Sequence, residues 1–295
     1  MSAGDAMSRR IVLATSRSDP DLTGSDRLYA EALERRGCAV SVAPWDGSPT
    51  AFGGADAVVL RSTWSYYRAL DAFRAWTEAT AATTRLFNSI DLVRWNLRKD
   101  YVSKLSAAGV RVPRSYVVPC DVSALERIFA VTGWSHAVVK PATGASGYSV
   151  ELLEPATLAI QVGGLAEEAR TGGVVVQEFL PEIAQGELSL VYFDGAFSHA
   201  VRKRPPPGEF RSNSRYGPTL TAEALPAEVA EQGAACLAVL PGLPLYARVD
   251  GVVRDGQLIV IEVEVLEPAL FMEFDPPSAE RFAAATLRRV DGASR

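Results

Sequence analysis

Residues 258–268 read Leu-Ile-Val-Ile-Glu-Val-Glu-Val-Leu-Glu-Pro, an apolar strand pattern broken by carboxylates at Glu262 and Glu264. Successive strand side chains point to opposite faces, so the two glutamates share one face while Val263 and Val265 take the other. Two carboxylates roughly 7 Å apart on a poorly solvated strand raise each other's pKa unless a positive charge lies between them. The preceding segment 245–253, Leu-Tyr-Ala-Arg-Val-Asp-Gly-Val-Val, reads as the partner strand, joined through Arg254, Asp255 and Gly256. A three-residue hairpin loop with Gly256 in the left-handed position puts Arg248 and Asp250 on the face of Glu262 and Glu264; a two-residue Asp-Gly turn puts Asp250 on the opposite face. In the first register the carboxylates form an oxygen cluster suited to a hard divalent ion such as Mg²⁺, usually shared with substrate phosphates. An amphipathic strand with a solvated face accounts for the same residues, and this segment alone leaves both readings open.

With 295 residues, 48% of them hydrophobic, the chain can bury a substantial core in one large domain or two to three smaller ones. A net charge of −5 and a pI near 5.3 argue against nucleic acid as the main partner. Cys38, Cys120 and Cys236 are odd in number and widely spaced, so neither a disulfide framework nor a zinc site is indicated. The opening seven residues lack a charged-then-apolar signal pattern, and no apolar run reaches the roughly 20 residues of a membrane span, so a cytoplasmic location is expected. Only His136 and His199 are available, which disfavours a histidine-based triad or a multi-histidine metal site.

The N-terminal part alternates apolar runs (10–15, 39–43, 57–60) with a helical stretch at 26–37, the βαβ rhythm of a parallel sheet. No GxGxxG follows the first run, so a dinucleotide site is not indicated. Strands are expected at 115–118, 137–140, 148–153 and 174–180, with helices around 158–170 and 226–240 and a terminal helix after Pro277. The segment 202–217 is the conspicuous irregular stretch, and long loops inside compact domains tend to be functional.

Between two of those strands lies Lys-Pro-Ala-Thr-Gly-Ala-Ser-Gly, residues 140–147. Its small residues let backbone N–H groups approach a polyphosphate, and Lys140 at the strand end can reach a phosphate as a point charge. It is a flap rather than a Walker loop, because it lacks the Gly-Lys-Ser/Thr ending and a strand follows it. Many hairpins carry such loops, so this one is weak alone.

In order along the chain stand Asn96-Leu-Arg-Lys99, the Val-Val-Lys-Pro flap, Val-Val-Gln-Glu-Phe-Leu with Gly186-Glu187 after it, and Asp250 with Glu262 and Glu264. In that order and over about two-thirds of its length, the chain resembles ATP-grasp ligases of the glutathione-synthetase and ribosomal-modification type. The resemblance implies an α/β (α+β ATP-grasp) fold: an N-terminal parallel-sheet α/β subdomain facing substrate (1–95), a lid subdomain with the glycine-rich flap (96–182) and a central subdomain with the metal site (183–295). It implies ATP contacts from Lys99, Lys140, Gly144, Ser146 and Gly147, an adenine site on the backbone of Gln177, Glu178, Phe179 and Leu180, and ribose binding by Glu187. It implies metal ligation by Asp250, Glu262 and Glu264, with Mg²⁺ as one or two ions and Mn²⁺ as a substitute; many relatives carry Asn at the place of Glu264. Lys203, Arg211 and Arg248 are implied as catalytic, neutralising charge on a transferring phosphoryl group. Arg61, Arg202, Asn213 and Glu267 are implied to bind substrate, Arg61 as a carboxylate clamp at a strand end.

The segment Arg61-Ser-Thr-Trp-Ser-Tyr-Tyr67, with Phe87-Asn88 and the residues after Glu264, resembles the narrower branch that includes the cyclo-ligase of cycloserine biosynthesis. The activity implied is ATP-dependent activation of a small amino-acid carboxylate as an acyl phosphate, followed by amide formation of the dipeptide or γ-glutamyl type. Ring closure within one substrate, or an ATP-grasp kinase, are the alternatives. The implied partners are small amino-acid substrates, with a homodimer left open and neither nucleic acid nor membrane involved; antibiotic biosynthesis is the implied setting.

Overall fold

The N-terminal apolar runs form a four-stranded parallel sheet of β1 (Arg10–Thr15), β2 (Ala39–Pro44), β3 (Ala57–Leu60) and β4 (Arg85–Phe87), in the order β2-β1-β3-β4. The computed structural model describes residues 8–165 and 167–292; the opening residues read above for a signal pattern lie outside them. Alternate residues of β1 serve two cores, as the strand period requires. Ile11 and Leu13 pack with Tyr29 and Leu33 of the helix Gly24–Arg35, while Val12 and Ala14 meet Phe73 of the helix Leu70–Thr83. Thr23 caps the first of these helices, accepting a hydrogen bond from the Asp26 backbone N–H at 3.0 Å.

A second, antiparallel sheet contains β5 (Ser115–Val118), β6 (Ala137–Pro141), β7 (Glu151–Leu153) and β8 (Val174–Glu178), in the order β5-β8-β6-β7. The glycine-rich segment 142–150 connects β6 to β7. The helix expected over 158–170 is two short helices, Leu158–Gly163 and Glu167–Gly172. The glycines at 163 and 164 lower helical propensity where the first one ends.

The third sheet is antiparallel: β9 (Glu187–Phe193), β10 (Ala196–Arg204), β11 (Thr219–Glu223), β12 (Tyr246–Arg254) and β13 (Gln257–Glu264), in the order β11-β10-β9-β12-β13. One face packs its Leu188, Leu190, Val249 and Val263 under the helices Ile90–Asn96, Tyr101–Ala107 and Ala227–Leu237. Residues on both sides of position 96 therefore share this core. The helix Pro277–Gly292 returns to the N-terminal sheet, where Phe282 stacks between Tyr29 and Phe193. Among the described residues no helix is long and apolar enough to cross a membrane.

The β12–β13 hairpin corrects one expectation. Arg254 pairs with Gln257, so the loop is the two-residue Asp255-Gly256 turn, with φ of 52° and 73°, and not a three-residue loop. Positive φ at both central residues matches the strand twist, which is why Asp-Gly is favoured there. A uniform ladder from that turn would place Asp250 away from Glu262. Instead Gly251 pairs with Val260 and Asp250 with Glu262, so Ile261 is a bulged residue that shifts the register by one. Glycine is required at the shift, because a Cβ on Gly251 would lie 2.4 Å from the Ile259 carbonyl oxygen.

Candidate active site

The bulge returns Arg248, Asp250, Glu262 and Glu264 to the polar face of the third sheet, where they line a cavity closed by the second sheet, the flap and the segment after β3. The cation of each ion pair comes from a different element. Lys99, just before the helix Tyr101–Ala107, pairs with Glu262. Lys203 of β10 lies 3.0 Å from Glu187 and 3.4 Å from Asp250. Arg248 reaches Asp250 at 2.8 Å and Glu264 at 2.5 Å. Ser189 of β9 donates a 2.5 Å hydrogen bond to Asp250, and Ser212 donates one to Glu187. Lys140, at the end of β6, is buried in the same wall and makes no ion pair among the described residues.

These groups titrate as a network. Burial opposes ionisation of Asp250, but Arg248 and Lys203 outweigh it and hold the carboxyl below the usual carboxylate range. Glu262 is likewise held low against burial, by Lys99 and Lys140. Glu264 goes the other way: burial, with Glu262 and Asp250 beside it, raises it to about 7 despite Arg248. Glu267 is also raised well above the usual carboxylate range, by burial and then by Glu264, and its Oε2 has no hydrogen-bond partner among the described residues. Burial lowers Lys140 more than Glu262 raises it.

Among the described residues no three acidic, histidine or cysteine side chains converge closely enough to enclose a metal ion; Glu262 is paired with Lys99, while Asp250 and Glu264 share Arg248. The donor set nonetheless fits a hard divalent cation, because all its ligating atoms are carboxylate oxygens on one face of the paired strands β12 and β13.

The flap covers this cavity and is tied to the loop after β10. Tyr216 donates to the Gly147 carbonyl at 3.1 Å, and Arg211 Nη1 donates to the Val150 carbonyl at 3.0 Å. Gly147 has φ +67°, and a Cβ there would sit 2.3 Å from Asn213 Oδ1. Arg211 is fixed by Glu209 and lies over the Tyr216 ring with its guanidinium carbon 4.0 Å from the centroid. On the N-terminal side Tyr67 stacks on Tyr148 at 5.1 Å. Gly144, Ser146 and Gly147 line the cavity, as do Gln177, Glu178, Phe179 and Leu180 at the end of β8, together with Glu187, Arg211, Asn213 and Glu267.

Two expected substrate contacts are not brought there. Arg61 is only 2% exposed; it bonds Asp26 at 2.6 Å and the Pro268 carbonyl at 2.7 Å, and it is a brace between elements rather than a clamp. Arg202 precedes Lys203 in β10, so strand alternation turns it to the other face, where it forms a two-pronged pair with Glu223 at 2.7 and 3.0 Å. Sequence reasoning missed Ser189, Ser212 and Tyr216 as groups that fix the site. Ser189 was legible in principle as a polar residue in the apolar run of β9, whereas Ser212 and Tyr216 lie in a loop with no periodic pattern.

Comparison with known proteins fits this geometry. Residues 11–88 match the family profile described as D-cycloserine synthetase DcsG, N-terminal domain, and residues 107–274 match prokaryotic glutathione synthetase, ATP-grasp domain. The chain is 33% identical over 286 residues to the cycloserine biosynthesis protein DcsG of Streptomyces lavendulae, covering 88% of this chain and 92% of that one. A crystal structure of D-cycloserine synthetase DcsG superposes with a TM-score of 0.85 at 28% identity, over 95% of this chain and 99% of the other. The D-alanine–D-alanine ligase of Bacillus anthracis shares the fold, with a TM-score of 0.66 at 15% identity over 97% of this chain and all of that one (100%).

Proposed function

The chain belongs to the ATP-grasp ligases, ATP-dependent enzymes that form C–N bonds, and from that premise we propose how its own residues divide the work. The activity is activation of a small amino-acid carboxylate by ATP and its capture by an amine nitrogen, with release of ADP and phosphate. The observation that carries the assignment of roles is the convergence of Lys99, Lys140 and Lys203 on Glu262, Glu187 and Asp250 in one cavity beneath a glycine-rich flap.

Lys99 and Lys140 would hold the nucleotide phosphates, with backbone N–H groups of Gly144, Ser146 and Gly147 closing over them. The chain at Gln177, Glu178, Phe179 and Leu180 would hold adenine, and Glu187 the ribose hydroxyls. Glu262 and Glu264, with Asp250, would hold Mg²⁺, which supplies positive charge to the phosphates when bound. Lys203, Arg211 and Arg248 would neutralise charge as the γ-phosphoryl group moves to the substrate carboxylate, a conversion required because a carboxylate is a poor electrophile. Asn213 and Glu267 would contact substrate. The flap, tied down through Gly147 and Val150, excludes water that would hydrolyse the activated acid.

A second reading, ring closure within a single substrate, is favoured by the likeness to D-cycloserine synthetase, which runs through the N-terminal sheet as well as the nucleotide site. An ADP-release screen over single amino acids and pairs with Mg²⁺, followed by product mass, separates the two. A product containing two amino-acid units, identical or different, excludes cyclisation, and a product with the mass of a single substrate molecule less the elements lost on ring closure excludes ligation. Hydroxylamine trapping of an acyl hydroxamate counts against a kinase, and absence of ADP release with every acid tested overturns the ligase assignment.

A further inference from the structure

Past the end of β13 the chain runs through a strap, residues 265–270, whose six consecutive backbone carbonyls are each held by a side chain from elsewhere. Asn88 donates to Val265 at 2.6 Å, Tyr246 to Leu266 at 2.8 Å, Trp64 to Glu267 at 2.9 Å and Arg61 to Pro268 at 2.7 Å. Arg248 donates to Ala269 at 3.1 Å and His199, through Nε2, to Leu270 at 2.8 Å. A segment without regular structure is thereby fixed residue by residue, which removes the usual entropy of a loop from whatever its side chains do. This also gives Arg61, His199 and Asn88 a common purpose.

The strap presents one ionisable side chain, Glu267, to the cavity. Glu267 is 8% exposed, and its Oε2 is shielded from solvent without a hydrogen-bond partner among the described residues. An unsatisfied buried carboxylate is costly, and a fold that orients it this firmly leaves it ready for a cation that arrives with a ligand. The cations nearest in the network are engaged: Lys99 with Glu262, and Arg248 with Asp250, Glu264 and the strap itself. Trp64 and Tyr66 line the same cavity, whereas the Phe271 ring is already covered by Arg248. Aromatic faces offer a metal ion no oxygen ligands, but they do attract an organic ammonium.

Resting on the ligase reading above, we infer that Glu267 reads the free ammonium group of the substrate whose carboxylate is activated, so the enzyme selects unblocked amino acids. Trp64, bonded through its indole N–H to the Glu267 carbonyl, ties this recognition to the segment after β3. A hydrogen-bonded pair of this kind discriminates strongly, because an analogue lacking the ammonium leaves the carboxylate buried and unpaired.

The test measures Mg²⁺-dependent ADP release by the full chain with free amino acids and with the same acids N-acetylated. It adds KM for amino acid and for ATP in Glu267→Gln. The expected result is release with free acids only, a KM for amino acid raised on the order of 10- to 100-fold in the variant, an ATP KM within about twofold of the parent and a melting temperature no lower. Release by N-acetylated acids equal to that by free acids leaves the ligase reading standing and overturns the role of Glu267. A variant that instead raises the ATP or Mg²⁺ requirement, with amino-acid KM unchanged, also overturns it by placing Glu267 with the nucleotide. Release with no acid at all removes the ligase reading and this one together. If the variant fails to fold, the acetylation comparison on the parent enzyme still decides.

Discussion

Asp250 lies directly opposite Glu262 across the β12–β13 ladder although the turn between their strands is two residues long. The bulge at Ile261 reconciles the two, and Gly251 makes the bulge sterically possible. Gly251→Ala should therefore cost about 1–3 kcal/mol in denaturant unfolding, the usual range for an overpacked backbone contact, and should reduce ADP release at the same time. A variant of parental stability and activity would show that the register does not depend on this glycine.

Glu262 is paired with Lys99 and lies beside Lys140, where phosphates and cation would meet. Glu262→Gln should lower turnover by more than about 100-fold while the circular dichroism spectrum stays unchanged, since the amide keeps the shape but loses the charge. Parental turnover in the variant would count against Glu262 as a ligand for Mg²⁺.

His199 donates to the strap at Leu270, and burial lowers its pKa from 6.5, against the smaller opposing effects of the Leu270 carbonyl and Asp275; Arg281 adds to the lowering. Because the folded state binds this proton less readily than the unfolded chain, stability is full above about pH 6.5 and declines as pH falls toward the depressed folded value. Thermal melts between pH 5 and 8 should show that loss. In His199→Gln, where an amide N–H can serve Leu270, the component should vanish. An identical pH slope in both proteins would remove His199 as its source.

Gly147 carries the flap over Asn213 and Tyr216. Gly147→Ala, strained at φ +67° and obstructed by Asn213, should raise KM for ATP severalfold with little change in melting temperature, because the strain falls on closure rather than on a core. A loss of stability without a change in ATP KM would assign the glycine to the fold alone.

Much of this site could be read from the sequence because its chemistry sits on strands or at their ends. Alternation placed Glu262 with Glu264, the apolar run ending at Lys140 pointed to a phosphate contact, and Lys203 fell on the cavity face. The same alternation, applied to β10, would have turned Arg202 away. Arg61 misled because a strand-end arginine looks the same whether it meets a ligand or, as here, Asp26 and the Pro268 carbonyl, which are remote in sequence. The hairpin loop departs from the three-residue expectation for a related reason: a bulge leaves no mark in a hydrophobic pattern except a glycine, and Gly251 fits either register. The strap was invisible, since its order comes from six side chains spread across the chain.

Phosphorylation of the substrate carboxylate before the C–N bond forms leaves a mark that oxygen tracing reads. With an amino acid chosen by the ADP-release screen and labelled with ¹⁸O in its carboxylate, an acyl-phosphate route transfers one labelled oxygen to the inorganic phosphate per turnover, in ligation and ring closure alike. Phosphate released without label, alongside product formation, would contradict it.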